Sequence, residues 1–287
     1  MTLPDILIEP IVRMALAEDL GRAGDVTAAA CIPAGTRMKA GFVARTAGVA
    51  SGVDCVRLAV LAMDPQASVE IGVRDGEAFE AGAVLVRVEA DARALLAAER
   101  TALNLLGRLS GIATLTRAYV EAVAGTGARI ADTRKTTPGL RALEKHAVAC
   151  GGGINHRFGL DDAILIKDNH VALCGGVGEA IRRARMAAGH LMKIEVEVDG
   201  LDQLDEALAE RPDVIMLDNF SLEALRTAVE RARACAFGPP VLEASGGVTL
   251  RTVLAIAETG VDVISVGALT HSAPALDVGL DVVRGEG

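Results

Sequence analysis

Apolar and polar positions follow two different rhythms along this chain. Residues 4–19 repeat at helical spacing, whereas Met38–Ala44, Val69–Val73 and Ala83–Val88 read as strands divided by glycine-containing turns. ARALLAAERTALNLLGRL, Ala92–Leu109, predicts a long helix rich in alanine and leucine, with Arg100 and Arg108 two turns apart on one face. Beyond about residue 113 the pattern becomes strand, loop, helix, repeated. Strands are predicted at Arg129–Asp132, Ala163–Ile166, Lys193–Val198, Val214–Leu217, Val241–Ala244 and Val263–Val266. Helices are predicted at Leu140–Cys150, Gly178–Ala188, Leu201–Glu210, Leu222–Cys235 and Leu250–Thr259. Successive βα units imply a parallel sheet with right-handed crossovers, and this many in a row favour a barrel over an open sheet.

The residues that end these strands are polar: Thr133-Arg134-Lys135, Lys167-Asp168-Asn169, Glu197, Asp218-Asn219, Ser245-Gly246-Gly247 and Gly267-Ala268. One polar strand end is an ordinary solvated loop. A whole set in register gathers at one rim of a parallel barrel, where barrel enzymes carry their chemistry.

Composition narrows what that rim can do. The chain has 287 residues, 51% hydrophobic and 23% charged, which suits a folded globular protein. A net charge of −9 and only 2% aromatic residues argue against nucleic-acid binding, which needs basic surface and stacking platforms. The five cysteines are scattered, odd in number and never spaced as CxxC, so they suggest neither a disulfide framework nor a zinc site. No run is apolar enough for a membrane span, and Asp5 and Glu9 replace the basic start of a secretion signal. The expectation is a cytoplasmic protein without nucleic-acid or membrane partners.

Within this acidic chain, residues 129–170 hold seven Lys/Arg against five Asp/Glu, together with three of the five histidines. A local reversal of sign points to an anionic ligand. Arg141 and Lys145, four apart, are read as the exposed face of a helix. Arg134, Lys135, His156, Arg157 and Lys167 differ, because each sits at a strand end or on the glycine-rich GGGINHR loop, residues 151–157. Arginine binds carboxylates in bidentate fashion and lysine acts as a compact point charge, so the set suits a small molecule with several carboxylates or phosphates. SGGVT (245–249) and VGALTHS (266–272) are candidate phosphate cradles at the two late strand ends. Glu197 and Asp218 put carboxylates on neighbouring strands, a donor set for magnesium beside phosphates.

These stretches resemble the quinolinate phosphoribosyltransferase family. The resemblance rests on EDLGRAGDVT (18–27), AERTALNLLGRLSGIAT (98–114), DTRKTTPGLRALEKHAV (132–148), GGGINHRFGLDDAILIKDNH (151–170), IEVEV (194–198), MLDN (216–219), LEASGGV (242–248) and ISVGALTHS (264–272), in family order along nearly the whole chain. It implies an N-terminal α/β sandwich, residues 1–112 joined by 273–287, and an open seven-stranded α/β barrel, residues 113–272. It also implies transfer of phosphoribosyl from phosphoribosyl pyrophosphate to quinolinate with loss of CO2, giving nicotinate mononucleotide for NAD synthesis.

Carried over by motif position, Arg134, His156, Arg157 and Lys167 would bind quinolinate, and Arg100 would reach in from the other subunit of a homodimer or of a hexamer of dimers. Lys135 would meet the pyrophosphate, with Thr136 and Thr137 as hydroxyl donors to the same anions. Glu197 and Asp218 would serve the ribose hydroxyls and Mg2+. Ser245, Gly246, Gly247, Val266, Gly267 and Ala268 would hold the 5-phosphate. Lys135, Lys167, Glu197 and Asp218 are the expected catalytic residues. A Schiff-base aldolase using Lys167 is disfavoured by Asp168 and the surrounding cations. Molybdenum-transport-associated relatives are disfavoured by Asn155, His156, Arg157, Lys167 and Asp168, which keep the quinolinate pattern. A nicotinate or nicotinamide transferase would leave the second carboxylate's partners without use.

Overall fold

A computed structural model describes residues 3–283, so the last four residues of the 273–287 segment lie outside the described residues. In chain order the elements are α1 (Asp5–Leu20), α2 (Val26–Cys31), β1 (Arg37–Ala44), β2 (Gly48–Val49), α3 (Val53–Met63), β3 (Ser68–Ile71), β4 (Ala78–Phe79), β5 (Val84–Asp91) and α4 (Ala92–Ala122). There follow β6 (Arg129–Ala131), α5 (Arg141–Cys150), β7 (Ile164–Ile166), α6 (Asp168–Cys174), α7 (Val177–Ala187), β8 (Ile194–Val198), α8 (Leu201–Glu210) and β9 (Val214–Asp218). The chain ends with α9 (Leu222–Arg233), β10 (Val241–Ser245), α10 (Val253–Ala257), β11 (Val263–Ser265), α11 (Ala268–His271) and β12 (Val278–Val282). It divides into two compact units: one comprises the residues up to 117, 136–152 and those from 269 onward, the other 118–135 and 153–268.

The first unit is built on an antiparallel sheet in the order β12-β1-β5-β3. Its inner face follows from strand alternation. Ala40, Phe42 and Ala44 on β1 are buried, and Phe42 pairs with Val86 and Ala40 with Val88 on β5. On α1 the buried residues Ile8, Val12 and Leu16 recur every four positions, and that stripe packs towards α3. Helix α4 runs thirteen residues beyond the predicted Leu109 end. Its glycines explain part of this: a Cβ on Gly111 would strike the carbonyl of Pro274, so the backbone of 274–276 can lie directly on the helix.

Helix α5 corrects one reading. Lys145 is 2% exposed and Arg141 is half-buried, its Nε donating to Thr136 Oγ1 at 3.1 Å, so neither lines an open helix face. Glu144, on the same helix, is buried as well. Its carboxylate accepts from Arg108 Nη2 at 3.0 Å, from the Thr137 amide at 3.0 Å and from the Thr137 hydroxyl at 2.8 Å. Arg108 also donates to the carbonyls of Ala273 and Thr270. A buried carboxylate with this many donors ties α5 to α4 within the unit. A second tie is His146, whose Nε2 lies 2.9 Å from Asp75 Oδ2. Burial alone would lower the His146 pKa, but the hydrogen bonds with Asp75 and Cys150 outweigh it and push it up to about 9.

The second unit contains the parallel sheet, ordered β6-β11-β10-β9-β8-β7. The first strand of the unit is hydrogen-bonded to the last, Ile130 beside Ile264, which is the neighbour relation of a barrel. Six strands form the ladder. A seventh position is reduced to one bridged residue, Ile154, beside Ala131 on the free edge of β6. Its amide donates to the Ile130 carbonyl at 2.8 Å, and its own carbonyl accepts from Asp132 N at 3.1 Å. The expected seven-stranded open barrel is therefore present as six strands and a bridge, and among the described residues no ladder joins that bridge to β7.

Period-two alternation separates the two faces of this sheet. Ile194, Val196, Val198, Ile215, Leu217, Leu242, Ala244 and Ile264 are buried apolar residues, and helices α8 to α11 follow the strands that carry them. The intervening positions, Glu195, Glu197, Met216, Asp218, Glu243, Ser245 and Ser265, share the opposite face, largely polar. A barrel with acids on its inner wall needs cations or protons to hold them.

Candidate active site

The ends of the parallel strands bring together most of the expected residues. Lys167 directly follows β7, and its Nζ lies 2.5 Å from Oε2 of Glu197 on the adjacent β8. Lys167 is exposed and Glu197 half-buried. Asp218 ends β9, where its Oδ2 accepts from Asn219 Nδ2 at 2.7 Å. Met216 pairs with Glu197, so Asp218 stands one pleat further along the same face. Two carboxylates on adjoining strands, one half-open to solvent on each, form an oxygen donor set of the kind magnesium takes with water and phosphate.

Ser245 ends β10 and leads into Gly246 and Gly247, both in left-handed backbone conformations with φ of +101° and +58°. A Cβ on Gly246 would run into the side chain of Asn219, itself at φ +56° with its amide donating to the Ser245 carbonyl at 2.9 Å. The turns after β9 and β10 are thus locked together, and only glycine fits at 246. The following helix is shorter than predicted, five residues from Val253. Val266, Gly267 and Ala268 follow β11 directly, with the Val266 amide bonded to Ala131 of β6 at 2.9 Å.

The basic group gathers around the β6 end and the bridged segment. Arg134 and Arg157 are half-buried, and each has a buried Nε without a hydrogen-bond partner. Burial and the neighbouring charge of Arg134 both hold the Arg157 guanidinium below its ordinary pKa. Two like charges kept close with unspent donors make a receptor for an anion. Arg157 Nη1 also donates to the Ala163 carbonyl at 3.1 Å, and the Asp162 carboxylate closes the adjoining loop by accepting from Phe158 N and Gly159 N. Lys135 is exposed, with its amide bonded to Thr133 Oγ1 at 3.1 Å.

Two expected residues belong to the first unit. Arg100 is exposed on α4, and Thr136 is half-buried with its hydroxyl oxygen engaged by Arg141. Thr137 is also in that unit, its hydroxyl spent on Glu144 rather than offered to an anion.

Sequence reasoning missed the layer beneath the rim. Asp132, Glu195 and Glu243 are 0%, 6% and 4% exposed. Asp132 accepts from the His156 amide at 2.8 Å and from Asn155 Nδ2 at 2.7 Å, while His156 Nε2 lies 3.0 Å from Glu195 Oε2 and 3.7 Å from Glu243 Oε1. Burial, then the charge of Glu195, pushes the Glu243 carboxyl up to about 7. The available signal was parity: in IEVEV, Glu195 must share a face with Glu197, and in LEASGG, Glu243 with Ser245.

A parallel α/β barrel whose rim combines paired guanidiniums, a lysine–glutamate pair and a glycine cradle is the layout of an enzyme that brings anionic substrates together. The chain's relatives narrow the class. Residues 25–110 match the family model described as quinolinate phosphoribosyl transferase, N-terminal domain, and residues 112–281 match the C-terminal domain of the same description. The chain belongs to the quinolinate phosphoribosyltransferase family. It is 51% identical over 276 residues to the nicotinate-nucleotide pyrophosphorylase (carboxylating) of Mycobacterium leprae, covering 94% of this chain and 95% of that one. It is 44% identical over 265 residues to a protein of Bacillus subtilis named a probable enzyme of the same kind, covering 92% and 90%. The solved nicotinate-nucleotide pyrophosphorylase of Francisella tularensis superimposes with a TM-score of 0.92 at 38% identity, covering 98% of each chain.

Proposed function

We infer that this protein is a carboxylating nicotinate-nucleotide pyrophosphorylase, a pentosyltransferase of de novo NAD synthesis. It transfers phosphoribosyl from phosphoribosyl pyrophosphate to quinolinate, releasing pyrophosphate and CO2. The observation that carries the reading is the Arg134–Arg157 pair, with two buried unpartnered Nε donors, in the same unit as the Lys167–Glu197 ion pair at the strand ends. A dicarboxylate and a polyphosphate repel each other, and such a rim neutralises both before they meet.

In this reading Arg134, His156, Arg157 and Lys167 form the quinolinate side, completed by Arg100 from a partner subunit in a homodimer or a hexamer of dimers. Lys135 and Thr136 face the leaving pyrophosphate. Ser245, Gly246, Gly247, Val266, Gly267 and Ala268 cradle the 5-phosphate. Glu197 and Asp218 hold the ribose hydroxyls and would bind Mg2+, which supplies charge stabilisation to the departing pyrophosphate. The pyridine nitrogen forms the bond to C1 of the ribose as the C1–O bond to pyrophosphate breaks. The resulting pyridinium accepts the electron pair freed when the 2-carboxylate departs as CO2, and a proton from solvent takes its place at that carbon. No side chain acts as a nucleophile, so positioning and electrostatics carry the rate.

Among the described residues no helix is long and apolar enough to cross a membrane; a cytoplasmic location agrees with the reading. The test is incubation with phosphoribosyl pyrophosphate, Mg2+ and either quinolinate or nicotinate. Formation of nicotinate mononucleotide from quinolinate alone is expected. Turnover of nicotinate with none of quinolinate would overturn the assignment.

A further inference from the structure

IEVEV and LEASGG each carry a glutamate that the proposed chemistry does not use. Glu195 and Glu243 lie on β8 and β10 with 6% and 4% exposure, deep under the rim, and each has a buried Oε1 without a hydrogen-bond partner. Buried carboxylates of this kind cost stability unless something else recompenses them. What they touch is His156, through Nε2 at 3.0 Å from Glu195 and 3.7 Å from Glu243.

The other side of the imidazole is engaged as well. The Arg157 amide donates to His156 Nδ1 at 2.8 Å, so Nδ1 carries no proton and the ring proton sits on Nε2, facing the glutamates. The His156 amide and the Asn155 side chain are meanwhile held by Asp132. A chain of contacts therefore runs from Glu195 and Glu243 to the His156 ring and from the ring to the Arg157 backbone, and the Arg157 guanidinium in turn feels the charge of Arg134.

We propose that Glu195 and Glu243 are positioning residues that orient the His156 ring and, through the His156 Nδ1 bond to the Arg157 amide, set the Arg134–Arg157 pair for the dicarboxylate substrate. The proposal rests on the functional reading above. It assigns His156 a role through Arg157, with both ring nitrogens spent inside the protein. Glu195 also acts by charge: it favours the Arg157 guanidinium against burial and the neighbouring Arg134, so removing its charge leaves the half-buried Arg157 with less to hold it there.

The test uses Glu195→Gln and Glu243→Gln in the full-length protein, with Glu195→Asp as the conservative variant. Three quantities are measured: KM for each substrate, kcat, and the rise in melting temperature produced by quinolinate or by phosphoribosyl pyrophosphate alone. Glu195→Gln is expected to raise KM for quinolinate about tenfold, the size of one misplaced charged hydrogen bond. It should shrink the quinolinate-induced thermal shift and leave KM for phosphoribosyl pyrophosphate within about twofold, with Glu195→Asp partly restoring the quinolinate value. Equal losses for both substrates, or a lower melting temperature with both KM values unchanged, would overturn the proposal by reducing the glutamates to general scaffolding. If Glu195→Gln does not fold, Glu243→Gln and Glu195→Asp decide by the same selective shift. A wild-type protein inactive on quinolinate would instead sink the functional reading, which keeps the two failures distinguishable.

Discussion

Lys167 and Glu197 meet as an ion pair across two adjacent parallel strands, Nζ 2.5 Å from Oε2, with the lysine 47% and the glutamate 15% exposed by side chain. Exposed pairs stabilise a fold by under about 1 kcal/mol. The contact therefore has little structural reason to exist, and its position at the rim gives it a chemical one. Lys167→Ala is expected to leave the melting temperature within about 2 °C of wild type while kcat/KM falls by about a hundredfold or more. A variant that loses stability in proportion to activity would contradict this.

Arg108 and Glu144 should behave in the opposite way. Glu144 is fully buried, and Arg108→Ala would leave its charge short of its main partner. A loss of about 3 kcal/mol in urea unfolding is expected, with much of it recovered in the Arg108→Ala, Glu144→Gln double variant. Additive losses in the double variant would refute the coupling.

His146 gives a pH signature. Its pKa in the folded protein, raised to about 9, exceeds the ordinary 6.5, so the folded state holds the proton more tightly than the unfolded state. The stabilisation, on the order of 3 kcal/mol, is fully present below pH 6.5 and is lost as pH rises through 9. The stability difference between wild type and His146→Gln should then be constant from about pH 5.5 to 6.5 and shrink towards pH 9.5. A difference that grows with pH would show that the Asp75 contact is not an ion pair.

Gly246→Ala tests the cradle. With φ at +101° and Asn219 in the way, the methyl group should cost about 2 kcal/mol or more and raise KM for phosphoribosyl pyrophosphate more than KM for quinolinate. A neutral effect on both constants would remove this turn from the phosphate site.

The legibility of these features in the sequence varied with how local their causes are. Barrel strands were readable because hydrophobic alternation and polar endings are local: Ile194-Glu195-Val196-Glu197-Val198 declares both a strand and its two faces. Helix α3, VDCVRLAVLAM, was missed because its apolar residues leave no clean stripe to tell a helix from a strand. The extension of α4 was missed because Ser110 and Gly111 look like helix breakers, whereas Ser110 bonds the Ser51 backbone and Gly111 lets the 274–275 backbone lie against the helix. Lys145 and Arg141 were misread for a related reason. The helix that carries them is tied down by Glu144, whose partners Arg108 and Thr137 come from other segments of the chain. Seven strand positions were expected and one is a single bridge, because the Asp132 and Ile154 contacts end as soon as Asn155 and His156 turn to the Asp132 carboxylate.

The rim joins quinolinate to phosphoribosyl pyrophosphate with loss of one carboxylate. This reaction is tested most directly by supplying quinolinate labelled with carbon-13 in its 2-carboxylate, together with phosphoribosyl pyrophosphate and Mg2+, and following the label. Labelled CO2 should be released in equal amounts with pyrophosphate and nicotinate mononucleotide. Pyrophosphate release with the label retained in the nucleotide product would contradict it.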